Sequence, residues 1–255
     1  MAEVRDRVVV LRHRPYREND ALVTAFGQSQ GKLSAVARGV RSMKGHLAAG
    51  VQALTLAQWT LYQGRSSLMT VTQAEAERHY PHIRQDLERT ARAAMLADLV
   101  DELWSEHDAD RAAFRLLEEG LAGLEGGRPP AALFLAGLWQ LLREGGFKPD
   151  FVECSACGAP LGDGPAGWRP ATGPLCARCR AGSDAGIPPG GLAWLRRAEL
   201  LPPDRLGTVV ASRRMLNELE RQAHDYVVYH LGRVPRAFRF WDQIAPHWPE
   251  EGESS

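Results

Sequence analysis

The chain has 255 residues, 44% apolar and 24% charged, with 31 basic and 31 acidic side chains. That is long enough for two small domains or one large one. It excludes a disulfide-stapled mini-protein and wholesale disorder. No apolar run approaches the ~18 residues of a membrane span. The charged Met1–Arg7 segment is not built like an export signal, so the expected location is the cytosol, where thiols stay reduced.

The neutral total hides a split. Residues 1–80 hold 11 basic against 6 acidic side chains, residues 81–150 hold 8 against 13, and residues 151–255 hold 12 of each. From Ala21 to Ala74 there is no acidic residue, but there are Lys32, Arg38, Arg41, Lys44 and Arg65. A basic module for an anionic partner joined to an acidic module is the expectation.

In chain order, the first 75 residues read as strands. Arg7–Leu11 and Ala21–Phe26 are β-rich, and Lys32–Arg38 alternates polar with apolar after the turn Gln28–Gly31. A Gly-rich basic loop spans Gly39–Gly50 and carries Arg41, Lys44 and His46. Val51–Tyr62 and Leu68–Thr72 complete five short strands, which suit a small closed barrel because closure removes exposed edges. Phe26, Trp59 and Tyr62 lie on these strands as candidate base-stacking platforms, with core packing the competing role.

The period then changes to helical. Arg84–Glu106 carries one apolar stripe, Phe114–Leu124 a second, and a third helix starts at Pro129–Pro130 and stops at Gly145–Gly146. Short links between the three predict a bundle. Trp104 and Trp139 fall on its stripes as core residues, whereas Asp98, Asp101 and Glu102 read as a solvated helix face. Helical pattern returns over Gly191–Leu200 and Arg213–Leu231, with Ser212 as the N-cap of the latter. The small acidic tail 249–255 is expected to be disordered.

Residues 147–190 hold all four cysteines and eight glycines. That composition cannot form a core unaided. The pattern is Cys154-x2-Cys157, 18 intervening residues, Cys176-x2-Cys179. Each CxxC turn presents two thiolates from one side, and two such turns complete a tetrahedron around Zn2+. Four Cys ligands leave no open position, so one structural zinc is expected and no catalytic one. Redox pairs and an iron–sulfur cluster are the competing readings. The redox pair lacks its βαβ setting, and the symmetric pairs favour zinc.

No catalytic motif is present. Gly27–Leu33 mimics a phosphate loop, but it is one residue short and has Leu33 where a hydroxyl must bind Mg2+. His79 and His82 flank Tyr80–Pro81 and read as surface residues. No catalytic residue and no small-molecule substrate are assigned.

Several segments together resemble the bacterial RecO recombination-mediator family. They are Val8–Thr24, the basic stretch Gly31–Arg41, Leu61–Arg65, Gln73–Glu75, and Gly145–Pro149 followed by Cys154-x2-Cys157-Gly158. The resemblance covers residues 4–231. The chain departs from it at Thr172–Leu175, where many relatives have two glycines, and at Arg17–Asn19, where relatives place Gly before Glu. The resemblance implies an α+β chain with a five-stranded OB-fold over residues 1–80. It implies an α-helical domain over 81–248, with a zinc finger at about 150–182. It further implies binding and annealing of single- and double-stranded DNA, and partnership with RecR and the single-strand-binding protein so that RecA reaches DNA. Phosphate contacts are then expected from Lys32, Arg38, Arg41 and Lys44, with Arg12, Arg14 and Arg65 in support. A cytoplasmic, nucleoid-associated, non-enzymatic protein is the expectation. The alternatives are a zinc-stabilised scaffold whose barrel binds an acidic protein, and a zinc-dependent nuclease or RNA-modifying enzyme.

Overall fold

The computed structural model describes residues 2–40, 47–64, 68–162 and 164–245. The chain forms two compact units, Met1–Glu125 and Gly126–Ser255. No helix among the described residues is long and apolar enough to cross a membrane.

The first unit is built on a closed barrel of β1 (Ala2–Tyr16), β2 (Asp20–Gly27), β3 (Gly31–Ala37), β4 (Leu56–Gln63) and β5 (Met69–Arg78), in the order β1-β2-β3-β5-β4. Closure depends on β1. Its first half pairs with β4 (Ala2 opposite Gln63) and its second half with β2 (Tyr16 opposite Asp20), and an irregularity between Val10 and Arg12 turns the strand from one partner to the other. β3 and β5 seal the barrel as a parallel pair, with Val36 opposite Thr70.

The pleat sends alternate residues inward. Val23, Ala25, Leu33, Ala35, Ala37, Trp59, Leu61 and Val71 fill the interior. Small alanines make room for the fully buried Trp59, whose indole N–H donates to the Gly50 carbonyl at 2.9 Å. Buried Asp6 holds the β2–β3 turn by accepting from the backbone N–H groups of Ser29 and Gln30. The segment that mimicked a phosphate loop is therefore this hairpin turn. Trp59 and Phe26 are both fully buried and serve packing.

Arg17 sits at φ 55 in the β1–β2 turn. This is the left-handed region that glycine favours, so a side chain there costs about 1 kcal/mol of backbone strain.

Among the described residues three helices complete the first unit: α1 (Pro81–Gln85), α2 (Leu87–Leu103) and α3 (Arg111–Glu125). Asp86 caps α2, accepting from the Arg89 N–H at 3.0 Å. Gly120 of α3 faces Leu96 of α2, where a β-carbon would lie 3.1 Å from the leucine methyl. The chain after α2 returns to the barrel, and the His107 N–H donates to the Lys32 carbonyl at 2.7 Å. This return makes Gly31 irreplaceable: it has φ +66, and a β-carbon there would lie 2.2 Å from the Asp108 carbonyl oxygen. Gly31→Ala is expected to destabilise the first unit by about 2 kcal/mol or more, measured as a lowered urea midpoint with an unchanged slope.

The second unit contains α4 (Pro130–Glu144), α5 (Gly191–Ala198), α6 (Arg213–Leu231), α7 (Arg236–Ile244) and a small sheet of β6 (Gly167–Arg169), β7 (Gly173–Leu175) and β8 (Ala185–Gly186), ordered β7-β6-β8. α4 is buried continuously from Ala132 to Leu142 and packs on α6. The single three-helix bundle expected from the periodicity is thus divided, with α2 and α3 in the first unit and α4 in the second. A stripe records only that a helix face is covered, not what covers it.

Ser212 caps α6 as expected, accepting from the Met215 N–H at 3.3 Å. α7 went unread in the sequence. It buries Phe238 and Trp241, and Phe238 meets Phe134 of α4 edge-on at 6.2 Å. The tail 249–255 lies outside the described residues.

Candidate metal centre and nucleic-acid interface

The four cysteines converge in the second unit. Their Sγ atoms all lie within 4.8 Å of one another, and those of Cys157 and Cys176 are 3.8 Å apart. A regular tetrahedron with metal–sulfur bonds of about 2.3 Å sets its sulfurs about 3.8 Å apart, so the site has the dimensions of a four-thiolate metal centre.

Local backbone chemistry builds each knuckle. In the first, the Gly158 N–H donates to the Cys154 carbonyl at 2.9 Å, with Gly158 at φ 70. In the second, the Cys179 and Arg180 N–H groups both donate to the Cys176 carbonyl at 3.0 Å. The knuckles are tied together, since the Cys176 N–H donates to Cys154 Sγ at 3.3 Å and the Ser155 N–H donates to the Pro174 carbonyl at 3.0 Å.

Electrostatics favours a cation here. Burial opposes ionisation of Cys154, but the N–H groups of Cys176, Ala156 and Cys157 outweigh it and bring the thiol down to about 6. Hydrogen bonding with Cys157 and Cys176 pushes Cys179 up to about 12. Without a cation, four crowded thiols cannot all ionise at neutral pH, whereas a central dication lets all four serve as thiolates. Once they do, the shell is closed and no position remains for water or substrate.

The sheet supports the centre. Arg169 donates twice to Asp184, at 3.0 and 2.8 Å, and holds its carboxyl below the usual carboxylate range. Cys154 packs with Leu161, Ala166, Leu175 and Leu192 in a small buried cluster. Trp168 of β6 meets Trp139 of α4 and Tyr226 of α6, each at 5.7 Å, which fixes the module to its helices.

The seven basic residues expected to meet DNA fall into three groups. Lys32 and Arg12 are engaged within the first unit. Arg12 Nε lies 2.7 Å and Lys32 Nζ 3.2 Å from the carboxylate of Asp101, which is buried. Lys32 also donates to the backbone carbonyls of Asp101 and Trp104 at the end of α2. Arg14 and Arg38 are exposed and form no ion pair among the described residues. Arg41, Lys44 and Arg65 lie outside the described residues.

Asp101 therefore corrects the reading of Asp98, Asp101 and Glu102 as a solvated face. Its position carried the signal. It lies four residues after Ala97 and three before Trp104, on the apolar stripe, where a carboxylate needs a cationic partner. Of the three candidate stacking rings, Tyr62 alone is open to solvent, at 36%.

Known proteins match along nearly the whole chain. The family model described as Recombination protein O N terminal matches residues 1–80, and that described as Recombination protein O C terminal matches residues 84–237. The chain belongs to the RecO family. The DNA repair protein RecO of Moorella thermoacetica is 32% identical over 240 residues, covering 92% of this chain and 89% of the relative. That of Heliobacterium modesticaldum is 35% identical over 223 residues, covering 84% and 80%. That of Anaeromyxobacter sp. is 33% identical over 246 residues, covering 93% and 95%. The resemblance read from residues 4–231 thus named the right family, and the RecO models divide the sequence where the strand pattern gives way to the helical one, between residues 80 and 84.

Proposed function

We propose that this RecO-family chain is a non-enzymatic mediator of DNA repair and homologous recombination. It binds single- and double-stranded DNA, anneals complementary strands, and with RecR helps RecA displace the single-strand-binding protein. DNA contact is assigned to the barrel domain, residues 1–80, and protein contacts to residues 81–248. One Zn2+ on Cys154, Cys157, Cys176 and Cys179 braces the second unit and takes no part in chemistry. The proposed location is the cytoplasm, on the nucleoid.

The observation that carries this reading, beside family membership, is the barrel's charge. No acidic residue falls between Ala21 and Ala74, while Arg14 and Arg38 stand exposed and unpaired among the described residues. Such cations track a phosphate backbone rather than base edges, so little sequence preference follows.

The test is annealing of complementary oligonucleotides, with and without the single-strand-binding protein, across a salt series. Affinity for a single strand is expected to fall with salt, with a log–log slope of about −0.7 per neutralised phosphate. The double variant Arg14→Glu, Arg38→Glu is expected to lose at least tenfold in affinity and to flatten the slope by about 1.4. Wild-type protein that is indifferent to DNA even in dilute buffer overturns the proposal.

A further inference from the structure

The barrel's outer face changes character along its strands. Near Val9 and Phe26 it is covered, both residues being fully buried, and Phe26 meets Trp104 at 5.7 Å. Two pleats further along, one residue from each strand forms an open cross-strand row. Arg14 lies opposite Leu22, Leu22 opposite Val36, Val36 opposite Thr70, and Thr70 opposite Tyr62.

Their inward neighbours Val23, Ala35, Val71 and Leu61 fill the barrel interior, so these five side chains point outward. The row crosses four inter-strand steps, about 19 Å. Leu22, Val36 and Thr70 are half-buried, Tyr62 is 36% exposed, and Arg14 stands exposed at the far end. Arg38 follows the end of β3, next to Gly39, whose N–H donates to Asp20 at 2.9 Å.

The row is thus cationic at one end, apolar in the middle and aromatic at the other. At the tyrosine end Glu3 lies opposite Tyr62 on β1, and a carboxylate there disfavours a phosphate. The exposed part of the Tyr62 ring suits an uncharged aromatic face. Nucleobases present such faces only when unstacked, as in a single strand.

We propose that this row is the barrel's single-strand platform: Arg14 and Arg38 hold phosphates, a base lies across Leu22 and Val36, and the Tyr62 ring stacks on the next base. The proposal rests on the reading that the barrel binds DNA, and deepens it by naming what separates single from double strands. Stacking of this kind is blind to sequence, because every base has a π-face.

The experiment compares wild type, Tyr62→Ala and Tyr62→Phe for binding to a labelled oligo-dT and to a duplex of equal length, across a salt series. Loss of one stacking contact is expected to weaken oligo-dT binding roughly 5- to 100-fold in Tyr62→Ala, with Tyr62→Phe near wild type. Duplex affinity and the salt slope are expected to stay unchanged, because the ring is neutral. Tyr62 is at the surface, so thermal unfolding of the variants should match wild type and confirm that the barrel is intact. Undiminished oligo-dT binding by Tyr62→Ala overturns the platform while leaving the barrel as the DNA site. Equal weakening on oligo-dT and duplex also overturns it. Wild-type protein that binds neither overturns the DNA reading itself.

Discussion

Cys154→Ser should abolish metal retention and unfold the module between about residues 150 and 190. Cys154 is the most enclosed of the four thiols, at 2% exposure, and is both a proposed ligand and the centre of the module's apolar cluster. That cluster is small, five buried residues among those described, and the three strands around it are only two or three residues long. On the proposed reading, metal binding supplies what packing does not. A structural zinc is worth about 10–16 kcal/mol in finger peptides, as much as the ~5–15 kcal/mol of a whole domain, so a three-ligand site is not expected to keep the fold. Metal content should fall from one ion per chain to none, and limited proteolysis should cut within the module. Chelation of the wild-type protein should reproduce both effects. Single-stranded DNA affinity should change less than threefold, since the centre is closed and no DNA contact is assigned to it. A Cys154→Ser chain with one bound metal and an unchanged unfolding temperature would refute the structural-metal assignment.

Asp101→Ala should lower the stability of the first unit by about 3 kcal/mol, seen as a fall in Tm of about 10 °C. The Asp101 carboxylate is 5% exposed and faces two cations, Arg12 and Lys32, whose side chains are 39% and 15% exposed. Removing it leaves the Lys32 ammonium nearly buried without its counter-charge. Arg12 is partly solvated, which places the cost at the lower end of the range for broken buried pairs. Lys32 has a second task. α2 has no basic residue in its own last turn, and Lys32 reaches from β3 to the carbonyls of Asp101 and Trp104. It thus supplies the positive charge that a helix C-terminus favours. Lys32→Ala should therefore lower Tm while leaving the DNA salt slope unchanged, whereas Arg38→Ala should flatten the slope by about 0.7 at constant Tm. The reverse pattern would return Lys32 to the DNA interface.

The parts that were legible in the sequence depend on local rules. Alternation over Lys32–Arg38 marked the strand found at Gly31–Ala37, because period 2 is the pleat itself. Ser212 marked a helix start because an N-cap hydroxyl acts within one turn. The two CxxC pairs marked a four-cysteine site that could hold a metal ion, because each knuckle is built within four residues. β1 was read too short, as Arg7–Leu11 rather than Ala2–Tyr16, because it changes partner near Leu11 and its alternation breaks there. α7 was missed because its nine residues present too short a period to stand out.

What the sequence determined by itself is the order of barrel, helices and cysteine module, the four clustered cysteines and the family. All of these follow from residue type and spacing along the chain. Only the tertiary structure decided which of these charges are paired inside the fold. Lys32 and Arg38 are equal in sequence, yet one meets a buried carboxylate 69 residues away while the other meets solvent. It likewise separated Tyr62 from Trp59 and Phe26, because the face a strand residue takes is set by pairing and closure. The physical reason is that a charge or a ring acquires its role from whatever desolvates it, and in a closed barrel that neighbour comes from far along the chain.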